Sequence, residues 1–76
     1  MLNLKSLSVG EKARLLSFGQ TPLPYRHKLI QFGLIPGIDI QILNKAPLGC
    51  PVEILVRNTA LVLRLQEASM LQWERL

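Results

Sequence analysis

The feature that most constrains the fold is a stretch that ends one element and begins another. Residues 26–37 read RHKLIQFGLIPG, so a glycine closes an apolar run and a Pro-Gly pair follows three residues later. Gly33 can adopt the left-handed conformation that ends a helix, with Leu34 folding back on the last turn. Pro36 prevents continuation, because proline does not fit a helix interior. The pattern predicts a helix ending at Gly33 and a Pro36-Gly37 turn leading into a strand.

The helix that precedes Gly33 is predicted over about 24–32. Tyr25, Leu29 and Phe32 lie at i, i+4 and i+7, the spacing of one apolar helical stripe. Thr21 comes just before a pair of prolines and can cap the free amides of the first turn. A short amphipathic helix is therefore expected.

Strand patterns occupy most of the remaining chain. Isoleucine at every second position over 38–45 predicts a half-buried strand. A loop rich in proline and glycine, 46–51, separates it from the next strand. Asn58 tolerates positive φ, so a tight reversal is predicted at Asn58-Thr59. The strand that follows, 60–65, is apolar on nearly both faces and should be central or enclosed in a barrel. The predicted strands are 12–18, 38–45, 52–57, 60–65 and 71–76, with Leu4 and Leu7 as an anchoring segment and a helical turn at about 66–70.

Length and composition limit the fold class. The 76 residues predict one domain, 1–76, and five short strands with one inserted helix predict a mainly β fold, a small curled barrel without exposed edges. A hydrophobic content of 49% with 18% charged residues excludes a disordered chain. The apolar runs are far shorter than the ~20 residues of a membrane-spanning helix. No secretory signal is visible and there is one cysteine, so we expect a cytoplasmic protein without disulfides.

The net charge of +4 is concentrated in the first half of the chain. A basic patch there could face an acidic protein, phospholipid head groups or nucleic acid, or could simply be a solvated surface. Nucleic acid is disfavoured as a partner, because Phe18, Phe32 and Trp73 fall on apolar stripes and leave no base-stacking platform.

Catalytic and metal-binding patterns are missing. His27 is the only histidine and Cys50 the only cysteine, so a nucleophilic pair or a four-ligand zinc site has no recognisable spacing. Gly33 and Gly37 flank the end of a helix, whereas phosphate loops precede one. We expect no enzyme activity, no cofactor and no metal site within one chain, while a surface metal shared between two chains stays open.

Three separated motifs together resemble a known family. They lie within 25–37 (YRHKLIQFGLIPG), 46–52 (APLGCPV) and 56–64 (VRNTALVLR). With these motifs, the chain is similar to the FeoA family, ferrous iron transport protein A, a module also found at the C-terminus of iron-dependent repressors. Asn58 stands where the family often has glycine, and Cys50 where aspartate is common.

The resemblance implies an SH3-like β-barrel that acts as an accessory or regulatory protein of bacterial ferrous iron uptake. Its implied partner is FeoB, a membrane transporter with a cytoplasmic GTP-binding domain. Alternatives are a nucleic-acid-binding SH3-like module and an activator of FeoB GTP hydrolysis that donates an arginine such as Arg26. Self-association and direct iron sensing stay open. The predicted partner-binding surface combines the helix with the loop after the second strand: Tyr25, Arg26, His27, Lys28, Leu29, Pro47, Leu48 and Gly49.

Overall fold

A computed structural model describes residues 4–47, 51–64 and 68–76. The residues outside the described ranges include Gln66 and Glu67 of the predicted turn at about 66–70, Leu65 of the predicted strand 60–65, and Leu48, Gly49 and Cys50 of the 46–51 loop. The elements are a 3-10 helix at Leu4–Ser6, five strands and one α-helix: β1 Lys12–Ser17, α1 Leu23–Gln31, β2 Asp39–Lys45, β3 Val52–Val56, β4 Thr59–Leu63 and β5 Gln72–Arg75.

The five strands form one antiparallel sheet in the order β4-β3-β2-β1-β5. The mainly β class and the single helix after the first strand are thereby confirmed. Because β4 and β5 lie at the two edges and do not pair with each other, the sheet is not closed, and the word barrel applies only loosely.

The core lies on one face of this sheet. Alternation places Ala13 and Leu15 of β1 inside, with Ile40 and Ile42 of β2 beside them. The anchoring role predicted for Leu4 and Leu7 is confirmed, since both are almost fully buried. All five strands contribute to one cluster, which also includes Leu29 of α1, Leu34, Ala68 and Leu71. Its members from the last three strands are Val52, Ile54 and Val56 of β3, Leu61 and Leu63 of β4, and Trp73 of β5.

The end of α1 has the geometry predicted from Gly33. Gly33 has φ of +89°, its N–H donates to the carbonyl of Ile30 at 2.9 Å, and the N–H of Leu34 donates to the carbonyl of Leu29 at 3.0 Å. This pair of bonds is a Schellman motif, which satisfies carbonyls that the helix end leaves free. Leu34 is buried as a result.

Two details predicted for α1 are wrong. Thr21 does not cap the helix, because its hydroxyl donates to the carbonyl of Phe18 at 2.6 Å and Pro22 occupies the N-cap position. Phe32 does not extend the buried stripe, since it lies at the C-cap and is 45% exposed. The backbone leaves its helical path there, so the i+7 spacing no longer points inward.

The β3–β4 hairpin turns one residue earlier than predicted. Val56 pairs with Thr59, so the two-residue loop is Arg57-Asn58. Arg57 has φ of +56° and Asn58 does not have positive φ. Positive φ at the first loop residue alone is the pattern of a type II′ turn.

The prediction that the following strand is central or enclosed is also wrong. β4 is an edge strand, with Leu61 and Leu63 in the core and Val62 58% exposed. No described residue covers the apolar side chains on the outer face of β4. Apolar side chains are common on protein surfaces, so an apolar pattern on both faces does not by itself show that a strand is buried.

Candidate partner-binding surface

Helix α1 crosses one end of the sheet. Near its start, Gly19 packs against the backbone of Met70, just before β5. Beyond its end, a β-carbon placed on Gly33 would lie 3.9 Å from Cγ1 of Val56, the last residue of β3. The helix therefore runs from the β5 edge toward the β3–β4 hairpin, and its outer face is available to a partner.

Arg26 of α1 has a structural role at this end. Its Nε donates to the carbonyl of Thr21 at 2.7 Å and its Nη2 donates to the carbonyl of Gly19 at 3.0 Å. The guanidinium also lies 6.0 Å from the centre of the Phe18 ring. These contacts hold the β1–α1 loop against the helix and satisfy two backbone acceptors. Arg26 is thereby occupied within the protein.

The other predicted helix residues divide between core and surface. Leu29 is 2% exposed and belongs to the core, whereas Tyr25 is partly buried and packs against that core. His27 and Lys28 are exposed, and the Lys28 ammonium lies 5.9 Å from the centre of the Tyr25 ring. The free basic flank of α1 thus consists of His27 and Lys28.

Two exposed apolar residues of α1 were missed at the sequence level. Leu23 is 61% exposed and Ile30 is 45% exposed. With His27 between them they lie at i, i+4 and i+7, so they share the solvent face of the helix. The same spacing is readable from the sequence, but only the packing of Leu29 tells which stripe faces water. We call Leu23, His27, Lys28 and Ile30 the α1 surface.

The topology separates α1 from Pro47, the one described residue of the predicted loop surface. Pro47 is exposed and follows Lys45, which pairs with Val52 at the start of β3. Helix α1 ends beside Val56, at the opposite end of β3. The five helix residues therefore stay together, whereas Pro47 lies at the far end of the strand and does not join them.

A shallow cleft lies next to the end of α1. It has a volume of about 320 Å³, and its lining includes Ile35, Pro36 and Arg57. Ile35 is exposed, and so is Phe32, three residues earlier in the chain. Arg57 also lines a neighbouring cleft of about 260 Å³ together with Lys12 and Leu55. An exposed arginine thus stands between two concave surfaces.

The backbone at Arg57 is strained. A residue with a β-carbon loses about 1 kcal/mol or more when its φ is positive. Asn58, which tolerates this conformation more easily, is the next residue but does not occupy the position. Local stability alone would favour glycine at position 57.

Two exposed ion pairs lie beside β1. Nε of Arg14 donates to Oδ1 of Asp39 at 2.8 Å, and this hydrogen bond raises the pKa of Arg14. Nε of Arg75 lies 3.3 Å from Oε2 of Glu11. The backbone N–H of Ser8 donates to Oε1 of Glu11 at 2.7 Å, and this hydrogen bond is the main cause that lowers the pKa of Glu11 from its usual value. These exposed pairs add little stability but neutralise charge beside β1.

No group of three or more histidine, cysteine, aspartate or glutamate side chains is placed to hold a metal ion within 4–47, 51–64 and 68–76. In the same residues, no helix is both long and apolar enough to cross a membrane.

Solved structures with the same fold link this geometry to known proteins. The iron(II) transport protein A of Clostridium thermocellum matches with a TM-score of 0.87 and 31% identity, covering 99% of this chain and 46% of that one. FeoA of Stenotrophomonas maltophilia, a prokaryotic SH3 domain protein solved with zinc, matches with a TM-score of 0.80 and 22% identity, covering 97% and 91%. IdeR of T. acidophilum matches with a TM-score of 0.83 and 24% identity, covering 97% of this chain and 33% of that one.

The two matches below 25% identity show the shared SH3-like fold alone. The chain spans less than half the length of the Clostridium protein. A family model provides the more specific evidence, because the FeoA domain matches residues 2–75. The chain therefore belongs to the FeoA family.

Proposed function

We propose that this protein is an accessory protein of ferrous iron uptake that binds the cytoplasmic part of a FeoB-type membrane transporter. Family membership supports a role in ferrous iron transport. The related FeoA of Stenotrophomonas maltophilia has been suggested to be a ferrous iron transport activating factor. A binding role agrees with the exposed apolar and basic side chains of α1 and with the shallow cleft next to the end of this helix.

The observation that carries this proposal is the α1 surface. Leu23 and Ile30 expose apolar side chains on either side of His27, and Lys28 adds a free positive charge. Apolar anchors flanked by charge are typical of protein interfaces, where the anchor supplies affinity and the charge accelerates association. The cytoplasmic domain of the transporter would contribute an apolar groove with acidic residues at its rim.

The test is binding to a detergent-solubilised FeoB-type transporter, measured by biolayer interferometry. Ile30→Glu should weaken binding about tenfold or more, because an apolar side chain that the interface would bury is replaced by a charged one. Val9→Glu is the matched control, since Val9 is 58% exposed and lies in the turn before β1. Lys28→Glu should mainly slow association and reduce its salt dependence, whereas Lys12→Glu makes the same charge change away from α1.

Two outcomes would contradict the proposal. If the folded wild-type protein does not bind the transporter, the function is wrong. If Ile30→Glu is folded and binds as well as Val9→Glu, the α1 surface is wrong although the function stands.

The rate of GTP hydrolysis by the transporter separates binding from activation. Arg26 is held by two backbone carbonyls, so its donation to a hydrolysis transition state would require these bonds to break. We therefore expect Arg26→Lys to loosen the β1–α1 loop without a specific loss of GTPase stimulation. A loss of stimulation with unchanged binding and stability would favour the activating role instead.

A further inference from the structure

We propose that the free edge of β4 binds an extended acidic segment of a partner protein as an added strand. This surface is distinct from α1, and the inference does not depend on which protein supplies the segment. It rests on the open backbone edge, on the charges at its two ends and on the strained residue that begins it.

Backbone groups of β4 point away from the sheet at two positions. In a two-residue hairpin, the residues that flank the turn form a hydrogen-bonded pair, and bonded and non-bonded pairs then alternate. Val56 and Thr59 flank the turn, so the backbone N–H and C=O groups of Leu61 and Leu63 point toward β3. The same groups of Ala60 and Val62 point outward, away from the sheet. Both residues are exposed, and no described residue takes up these groups.

The sequence of β4 does not protect this edge. Thr59–Leu63 reads TALVL, without the charge, proline or bulge that usually prevents strand addition. A row of outward N–H and C=O groups is a template on which an extended peptide can pair.

Arginines bracket the edge and indicate the chemistry of the occupant. Arg57 precedes β4 and Arg64 follows it, both are exposed, and neither forms an ion pair among the described residues. At ~3.3 Å per residue they are roughly 20 Å apart. A segment with a carboxylate near each end would meet both charges. Glu53 pairs with Val62, so a negative charge lies near the middle of the edge. The middle of the bound segment should therefore be neutral.

The same charges disfavour a second copy of this chain. Antiparallel pairing of two β4 strands about Leu61 would place Arg57 of one copy next to Arg64 of the other at both ends. Like charges placed opposite each other across strands are destabilising. A heterologous acidic segment avoids this repulsion, and an arginine at the strained position 57 is consistent with such a contact.

The test uses a fluorescein-labelled peptide of about nine residues, alternating threonine and valine with glutamate near each end. Fluorescence anisotropy should show salt-sensitive binding to the full chain. A peptide with lysine in place of both glutamates should bind at least about tenfold more weakly, as should the double variant Arg57→Glu/Arg64→Glu. Arg75→Glu, on the opposite edge strand β5, carries the same charge change as the single variant Arg64→Glu and should bind nearly as well as the wild type.

Val62→Pro tests the backbone contact directly. Proline removes an N–H that faces away from β3, so the fold should persist while peptide affinity falls at least about tenfold. Val62→Ala is the matched control and should change affinity less than about threefold. Ala60→Pro provides a second variant of the same kind if Val62→Pro fails to fold.

Three results would overturn the proposal. The first is no binding of the acidic peptide by the wild-type chain. The second is binding that folded proline variants leave unchanged, which would place the peptide elsewhere. The third is a dimer in analytical ultracentrifugation that Val62→Pro abolishes, because a second copy would then occupy the edge.

Discussion

The two edges of the sheet differ in how they meet solvent. At β5, Trp73 is buried and Glu74 and Arg75 add charge to the strand. Nη2 of Arg75 also donates to the carbonyl of Ser6 at 3.2 Å, so the N-terminal segment is tied to this edge. β4 has neither charge nor such a contact among the described residues. Charge and an attached segment discourage strand addition at β5, while β4 stays available to a partner.

The largest expected effect comes from the anchor of β5. Trp73 is 3% exposed and pairs with Leu15 across the sheet. We expect Trp73→Ala to lower the free energy of unfolding by about 3–5 kcal/mol, enough to unfold much of a domain this small. Urea denaturation followed by circular dichroism would measure this. Val62→Ala on β4 should stay within about 0.5 kcal/mol, because the side chain is largely exposed.

Proline substitutions compare the backbone of the two edges. The N–H of Leu76 donates to the carbonyl of Lys12 at 3.1 Å, so by alternation the N–H of Glu74 also faces β1. Glu74→Pro should therefore lose a ladder bond and about 2 kcal/mol of stability, whereas Val62→Pro should lose less than about 1 kcal/mol. Thermal unfolding would rank the two variants. Equal losses would show that the outward N–H of Val62 is structurally important.

Replacing Arg57 in the strained turn should stabilise the protein but remove one of the two arginines at the β4 edge. Arg57→Gly should raise the free energy of unfolding by about 1 kcal/mol, because glycine accepts φ of +56° without a β-carbon clash. Asn58→Gly should not stabilise, since Asn58 does not have positive φ. Urea midpoints at constant slope would measure both changes. A destabilised Arg57→Gly variant would instead assign the side chain a structural role.

The smallest effect concerns pH at the β5 edge. The pKa of Glu11 is lowered by the hydrogen bond from Ser8 and by Arg75, so its contribution is present above about pH 4.5 and is lost as pH falls below that value. Glu11→Gln should therefore reduce stability slightly at pH 7 and flatten the acid side of the stability profile. Thermal melts between pH 7 and pH 3 would reveal this. An unchanged profile would mean that the pair is fully screened by solvent.

Local chemistry explains which predictions succeeded. The end of α1 at Gly33 and the alternation of Ile40 and Ile42 depend on residues close in the chain, and both are confirmed. The position of the β3–β4 turn was off by one residue, because hairpin register is decided by which strand residues pair. The edge position of β4 depends on the order of all five strands, which no local pattern encodes.

The predicted site was only partly readable for the same reason. The resemblance led to the family, and the basic flank of the helix was visible as His27 and Lys28. Arg26 looked equivalent to them, but the carbonyls of Gly19 and Thr21 bind its guanidinium. The sequence predicted one partner-binding surface that combines α1 with Pro47, but these lie at opposite ends of β3. Whether either of them binds a partner stays a prediction.

By itself, the sequence determined the helix stop, most strand positions, the family and the absence of recognisable catalytic spacing. Tertiary structure alone decided which arginine is occupied, which apolar helix stripe faces water and which strand has a free edge. The first group depends on backbone preferences and short-range periodicity. The second depends on contacts between residues far apart in the chain, whose partners are defined only once the sheet has formed.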